Sequence, residues 1–251
     1  MNIQAIKTRA LVPPQDDLLE ALGESITEFP ENTVLAVSSK VVSIWQGRCV
    51  PLESVEKDEL IKREADRYLE RSEVPGEWVM HTIKNNLLIP TAGIDESNAK
   101  ENFVLWPNNP NGAAEEIIAW AKEKYGVTNI AVVITDSHSI PLRRGTVGIS
   151  LGYAGFAPLN DYRQTEDIFG REFKLEQANI ADGLAAAAVL VMGEGSEQTP
   201  AAFITDIPFV QFGKNEDKTD PQGSFEVDMD NDLYYPFLKH VPWKEGGGGH
   251  E

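Results

Sequence analysis

The stretch ITDSHSIPLRRGTVGISLGYAGFAPLNDYRQTEDIFGREFKLEQANIADGLAAAAVLVMG, residues 134–193, decides how the rest of the chain is read. An apolar strand over residues 130–134 runs into Asp136-Ser137, and a turn follows. Then come Arg143-Arg144, glycines at 145, 148, 152 and 155, a run of Asp and Arg residues, and an alanine-rich helix ending in Gly193-Glu194. Carboxylates at strand and helix ends, beside guanidinium groups and mobile glycine backbone, suit a metal and phosphate site. Hard divalent cations take oxygen ligands, and arginine grips phosphate with planar paired donors. An enzyme is the leading reading.

Outward from that stretch, residues 2–7 read as a short strand, and Asp16-Asp17 can cap a helix through Leu18, Leu19 and Leu22. Residues 33–38 (TVLAVS) form a compact buried strand with Ser38-Ser39-Lys40 at its carboxyl end. Residues 56–70 predict a charged surface helix, residues 77–81 and 86–90 a hairpin, and residues 103–106 another strand. Residues 112–125 predict an amphipathic helix stopped by Gly126, followed by a strand over 127–135. Segment 174–192 is apolar on nearly every face and predicts a buried helix, and residues 201–205 a further strand. One domain, divisible into two subdomains, is expected over residues 1–213. Residues 214–251, with nine acidic and four basic side chains and a GGGG run, read as an acidic C-terminal arm.

Bulk numbers exclude several classes. Forty acidic against 22 basic residues give a formal charge of −18, which repels nucleic acid and anionic membranes. The lone Cys49 allows no intrachain disulfide and no cysteine-rich metal site. The N-terminus lacks the roughly 7–15-residue apolar segment of a signal peptide, and no window approaches the ~18 apolar residues of a membrane span. The expectation is a cytoplasmic protein with no membrane or nucleic-acid partner.

No G-x-x-x-x-G-K-[ST], G-x-G-x-x-G, H-E-x-x-H or G-x-S-x-G occurs, so no P-loop is expected. Asp228-x-Asp230-x-Asp232 starts like a calcium loop, but Leu233 and Lys239 stand where glycine and glutamate are required. Three carboxylates remain in small-residue loops: Asp95 (AGIDESN), Asp136 (ITDS) and Glu194 (MGEGS). Each taken alone is a cap or a surface charge; converging, they would hold hard cations against phosphates. Lys40 is either a phosphate ligand or a solvated lysine, and Arg143-Arg144 either a phosphate or carboxylate clamp or a basic turn. His138 beside Ser137 is a ligand, a base or neither. Asp161, Arg163 and Asp167 read as a structural ion-pair network.

At SSKVVS (38–43), AGIDESN (92–98), VVITDS (132–137), PLRRG (141–145), LGYAGFAPLNDYR (151–163), DIFGR (167–171) and ADGLAAAAVLVMGE (181–194), the chain resembles the coenzyme F-420-0:gamma-glutamyl ligase family. The resemblance runs over about residues 8–205 and rests on several long motifs in the correct order. It implies an α+β fold, a mixed sheet with flanking helices and no P-loop, in an intertwined homodimer. It implies that Asp95, Asp136, Ser137 and Glu194 hold two divalent ions, magnesium or manganese, with potassium as a further candidate ion. It also implies GTP contacts from Thr8, Arg9, Ala10, Leu11, Ser39, Lys40, Asn98 and the stretch 192–199, including Met192, Gly193, Gly195 and Ser196. The implied reaction joins L-glutamate to an acceptor carboxylate through an acyl phosphate, with Arg143 or Arg144 steadying phosphate or acceptor.

Where the family usually reads D-T-x-G-R-P-W-R, this chain reads Asp136-Ser-His-Ser-Ile-Pro-Leu-Arg143. Gly148, Ile44 and Gln164 are further departures. The TDSHSIPLRRG form resembles a branch associated with gamma-glutamylation of folates, so a deazaflavin and a folate-type acceptor both stay open. A non-catalytic nucleotide-binding homologue is the reading from another class.

Overall fold

The computed structural model describes residues 1–213 and 225–249. Its elements in chain order are β1 (Asn2–Ile6), α1 (Leu18–Ser25), β2 (Thr33–Ser38), α2 (Ser39–Trp45), β3 (Cys49–Pro51), α3 (Lys57–Glu64), β4 (Arg67–Tyr68), β5 (His81–Lys84) and β6 (Leu87–Pro90). Then follow β7 (Asn102–Val104), α4 (Pro110–Tyr125), β8 (Ile130–Ser139), β9 (Thr146–Ala154), β10 (Leu159–Asp161), β11 (Gln177–Asn179), α5 (Ile180–Met192), β12 (Ala201–Thr205), α6 (Tyr235–Leu238) and β13 (Lys244–Glu245). This is a mixed α and β architecture with helices flanking a mixed sheet.

The large sheet has the order β1-β12-β2-β8-β9. Its neighbours are antiparallel except β2 and β8, which run parallel. The central strands are apolar on both faces because both faces are covered. Leu35, Val37, Val132 and Ile134 join the core under α1, α2 and α4. Val34, Ala36, Ala131 and Val133 join the core under α5. Smaller sheets surround this unit: β13-β4-β5-β6, β3-β7 and β10-β11. The β13-β4-β5-β6 sheet and α3 share a third core around Leu60, Ile61, Met80 and Phe103.

Local chemistry explains the element ends. Asp17 caps α1 by accepting from the Glu20 N–H, and Asn109 caps α4 by accepting from Gly112. Asn85 and Asn86 turn β5 into β6 with φ of 49° and 58°, the two left-handed residues of a tight hairpin. Gly148 and Gly152 lie inside β9, so their role is close packing rather than mobility. A Cβ at Gly148 would stand 2.4 Å from the Ala185 carbonyl of α5, and one at Gly152 2.7 Å from Pro110 of α4.

Four sequence expectations need correction, the first being the hairpin strand expected over 77–81, which lies instead at His81–Lys84. The helix expected over 56–70 ends at Glu64, because Arg67 and Tyr68 pair with β5 instead. The strand carrying Asp136 does not end before it: β8 continues to Ser139, paired with β9 across an irregularity between Ile134 and Thr135. The segment 174–192 is not all helix and not all buried. Residues 177–179 pair with β10, α5 starts at Ile180, and Leu175 and Leu190 are 86% and 85% exposed.

The C-terminal arm, as far as it is described, is docked; residues 214–224 and 250–251 of that expected arm lie outside the described residues. Phe225 packs edge-on against Tyr153, and β13 adds a strand to β4. The glycines after β13 thread along the end of α3. The N–H groups of Gly246, Gly247, Gly248 and Gly249 donate to the carbonyls of Asp66, Lys62, Ala65 and Arg63. Helix ends leave such carbonyls without internal partners, so the tail acts as a cap made of backbone. Only glycine fits: a Cβ at Gly246 would lie 2.0 Å from the Ala65 carbonyl oxygen.

Gly246→Val is therefore expected to detach the tail and cost about 1–2 kcal/mol, a fall of roughly 2–6 °C in a thermal melt; an unchanged midpoint would refute the capping role. A second expectation concerns the loop after β1. Arg9 holds Asp16 at 2.8 and 3.0 Å, and this pairing lowers the Asp16 pKa to about 2. A depressed carboxylate pKa contributes stability that is present above the unfolded value, near 4, and lost as pH falls through about 2. Asp16→Asn should cost about 1 kcal/mol at pH 7, allowing for solvent screening, and clearly less at pH 2. Equal penalties at both pH values in denaturant titrations would rule this out.

Candidate active site

The carboxyl ends of β2 and β8 lie side by side, Ser38 in register with Thr135. They open into a cavity of about 780 Å³. The loop after β1 reaches its wall through Thr8, Arg9, Ala10 and Leu11. Lys40 comes from the start of α2, and Asp136 and Ser137 from β8. Asp95 and Asn98 come from the loop after β6, and Met192, Gly193, Glu194, Gly195 and Ser196 from the loop between α5 and β12. Five separated segments thus share one wall.

Not every expected residue lies there. Ser39 is buried behind the wall, where its side chain bonds Asp136. Arg143 and Arg144 are exposed at the β8–β9 hairpin tip and do not line the cavity, although Ser139 and Thr146 at the base of that tip do. The guanidinium of Arg9 is taken up by Asp16, Glu20 and Glu24, at 2.8, 3.1 and 3.3 Å. His138 is half-buried off the wall, its Nδ1 has no hydrogen-bond partner among the described residues, and burial lowers its pKa. Arg163 holds Asp161, and Asp167 accepts from the N–H groups of Phe169 and Arg171. That group is a structural network.

The acidic groups are held differently. Asp95 takes the Lys40 ammonium at 2.6 Å and the Ser97 N–H at 2.7 Å. Burial alone would raise its pKa, but these partners outweigh burial and the net shift is downward. Asp136 is pushed up to about 6 by burial, against hydrogen bonds from Ser137, Trp106 and Ser39. Glu194 accepts from Ser137 Oγ at 2.6 Å and from Thr146 Oγ1 at 3.3 Å. Asn98 Nδ2 donates to the Gly195 carbonyl at 3.1 Å, tying the Asp95 loop to the Glu194 loop.

The Asp95 loop is entered through Thr91, Ala92 and Gly93, with φ of 56°, 51° and 72°. Two non-glycine residues in the left-handed region, one of them β-branched, mark strain held by surrounding structure. Thr82 holds it: its hydroxyl accepts from the Ala92 N–H and donates to the Ile89 carbonyl. Sequence reasoning missed this turn, and it also missed Thr146 and Trp106. A threonine in a strand and a tryptophan at a strand end carry no signal apart from the fold.

The donor set fits a hard divalent cation in kind: carboxylate and hydroxyl oxygens from three segments, with an ammonium already seated against one. Among the described residues no three His, Cys, Asp or Glu side chains stand close enough to hold a metal ion by themselves. Phosphate oxygens and water would complete the shell, the usual arrangement for magnesium on a nucleotide. No helix among the described residues is long and apolar enough to cross a membrane.

Comparison with known proteins identifies the family of the chain. Residues 6–206 match the model of the F420-0:Gamma-glutamyl ligase family. The chain is 34% identical over 219 residues to the Coenzyme F420:L-glutamate ligase of Methanopyrus kandleri, covering 80% of this chain and 85% of that protein. It is 32% identical over 229 residues to the protein of that name from Haloarcula marismortui, covering 83% and 88%. The Archaeoglobus fulgidus protein of the same name is 32% identical over 221 residues, covering 82% and 88%. Acidic segments that the fold gathers on one wall, within a match spanning most of the chain, place this protein in the F420-0:gamma-glutamyl ligase family.

Proposed function

We propose that this protein is a GTP-dependent gamma-glutamyl ligase that joins L-glutamate to an acceptor carboxylate, releasing GDP and phosphate. The observation that carries the reading is the convergence of Asp95, Asp136, Ser137 and Glu194 on one wall with the 8–11 and 192–196 loops. A carboxylate is a poor acyl donor, so the gamma-phosphoryl group passes first to the acceptor carboxylate, giving an acyl phosphate. The glutamate amine then attacks the acyl carbon, an amide forms and phosphate leaves. Two divalent ions, magnesium or manganese, when bound by Asp95, Asp136, Ser137 and Glu194, neutralise charge developing on the phosphate oxygens.

This chain's own residues do the rest. Loops 8–11 and 192–196, with Asn98, frame the nucleotide, and backbone N–H groups of loops can meet phosphate oxygens. Lys40 is the cation nearest the acidic wall and is placed to follow phosphate charge when a metal displaces it from Asp95. Arg143 and Arg144, exposed at the hairpin tip, are the groups available to an arriving acceptor carboxylate. A homodimer fits the exposed apolar surface that runs over Ile168, Phe169, Leu175 and Leu190.

The relatives' names favour a coenzyme F420-type acceptor. The changed 138–148 loop favours a folate-type acceptor as the second reading. Purified protein with GTP, manganese, glutamate and either the deazaflavin precursor or a reduced folate should release phosphate and give a glutamylated product by mass spectrometry. Nucleotide binding without phosphate release from either acceptor would instead identify a non-catalytic homologue. Asp136→Asn is expected to keep the fold and to lower turnover by more than the roughly 10–100-fold that loss of an outer metal partner costs. Turnover within a few-fold of wild type would remove Asp136 from the assigned role.

A further inference from the structure

Building on that metal reading, we propose that Trp106 is a positioning residue that fixes Asp136 and the Asp95 loop relative to each other for a divalent cation. Trp106 follows β7 and is 3% exposed. Its indole Nε1–H donates to Asp136 Oδ2 at 2.5 Å. The same edge of the ring lies on Gly93, where a Cβ would stand 2.0 Å from Nε1. Gly93 is two residues before Asp95, at φ 72°. One side chain therefore touches the carboxylate of one acidic segment and the backbone leading to the other.

The backbone of Trp106 is itself anchored. Its carbonyl accepts from Arg48 Nε at 3.3 Å, and the neighbouring Leu105 N–H donates to the Arg48 carbonyl at 3.0 Å. Arg48 Nη2 donates to Glu64 Oε2 at 2.9 Å, and the same oxygen takes Lys84 Nζ at 2.6 Å. Glu64 and Lys84 are both buried. A buried ion cluster of this kind is costly to rearrange, because breaking one pair leaves an uncompensated charge. The indole thus projects from a rigid base.

Indole N–H is a donor only, so Trp106 can neither ligate a cation nor move a proton. What it can do is hold one oxygen of Asp136 and thereby set the direction of the carboxylate. Partners that orient a ligating group in this way typically govern metal affinity by 10–100-fold. Gly93 gives the contact its second effect: any displacement of the ring shifts the turn that presents Asp95.

Manganese binding by the full chain, read as free ion by electron paramagnetic resonance without nucleotide or acceptor, tests the assignment. Trp106→Phe keeps most of the ring and removes the donor. It is expected to weaken manganese binding by about tenfold. In assays it should raise the metal concentration for half-maximal rate while leaving the KM for glutamate unchanged, a split that general loosening would not give. A folded Trp106→Phe protein with wild-type manganese affinity overturns the inference and leaves the metal reading standing. Wild-type protein that binds no manganese, either alone or with GTP, overturns both. If the variant does not fold, the wild type decides: with ¹⁵N-labelled tryptophan, one of the five indole signals should move on adding magnesium. Five unmoved signals in protein that binds magnesium overturn the proposal.

Discussion

The parallel pairing of β2 and β8 is the constraint on which the cavity depends. Two parallel neighbours end at the same edge of a sheet, so Ser38 and Thr135 leave the sheet side by side and their continuations bound a crevice. The antiparallel partners then bring their loops to that same edge. β12 runs against β2 with Ala201 opposite Val37, so the loop before it, with Glu194, arrives there. β1 runs against β12 with Ile6 opposite Ala201, so the 8–11 loop arrives too. One register relation gathers four of the five segments on the wall. The fifth, with Asp95, comes from the smaller sheet and is tied in through Lys40, Asn98 and Trp106.

Gathering carboxylates in this way works against stability. Asp136 is held where burial raises its pKa to about 6, and the Asp95 charge adds to that rise. The turn before Asp95 keeps Thr91 and Ala92 left-handed, a conformation that costs on the order of 1–3 kcal/mol per residue. These penalties are offset elsewhere, by the two cores sandwiching the large sheet. The C-terminal glycines contribute from a distance by closing the end of the helix that carries Glu64. Unfavourable local electrostatics that the surrounding packing sustains are what a cation-binding wall requires.

Much of this was legible in residues read locally. Strands β1, β2 and β12, the cap of α1, and the stop at Gly126 follow from apolar runs, a capping carboxylate and a left-handed glycine. What was not legible depends on partners distant in sequence. Residues 135–139 contain Thr, Asp, Ser, His and Ser, a poor strand by composition, yet pairing with β9 extends β8 through them. The charged pattern of α3 continues past Glu64, but pairing of Arg67 and Tyr68 with β5 ends the helix. GGGG reads as a loose tail until the carbonyls of α3 are seen beneath it. The acidic wall residues were found from strand-end and helix-end placement, whereas Trp106 has meaning only once Gly93 and Asp136 stand on either side of it.

The same geometry separates what can change in this protein from what cannot. Gly148 is pressed against α5, and Asp136 is held by three hydrogen bonds, so substitutions at either disturb packing or the wall itself. The hairpin tip between them and the solvent is under no such restraint. Leu142 is fully exposed in a left-handed conformation, and Arg143 and Arg144 are exposed beside it. Surface positions without packing partners usually change at a cost within about 0.5 kcal/mol. On the proposed reading, a tip that carries the acceptor-facing arginines but little of the fold's stability can be rewritten without touching phosphoryl chemistry. A rigid wall bordered by a cheaply altered tip lets acceptor recognition change while the wall stays fixed.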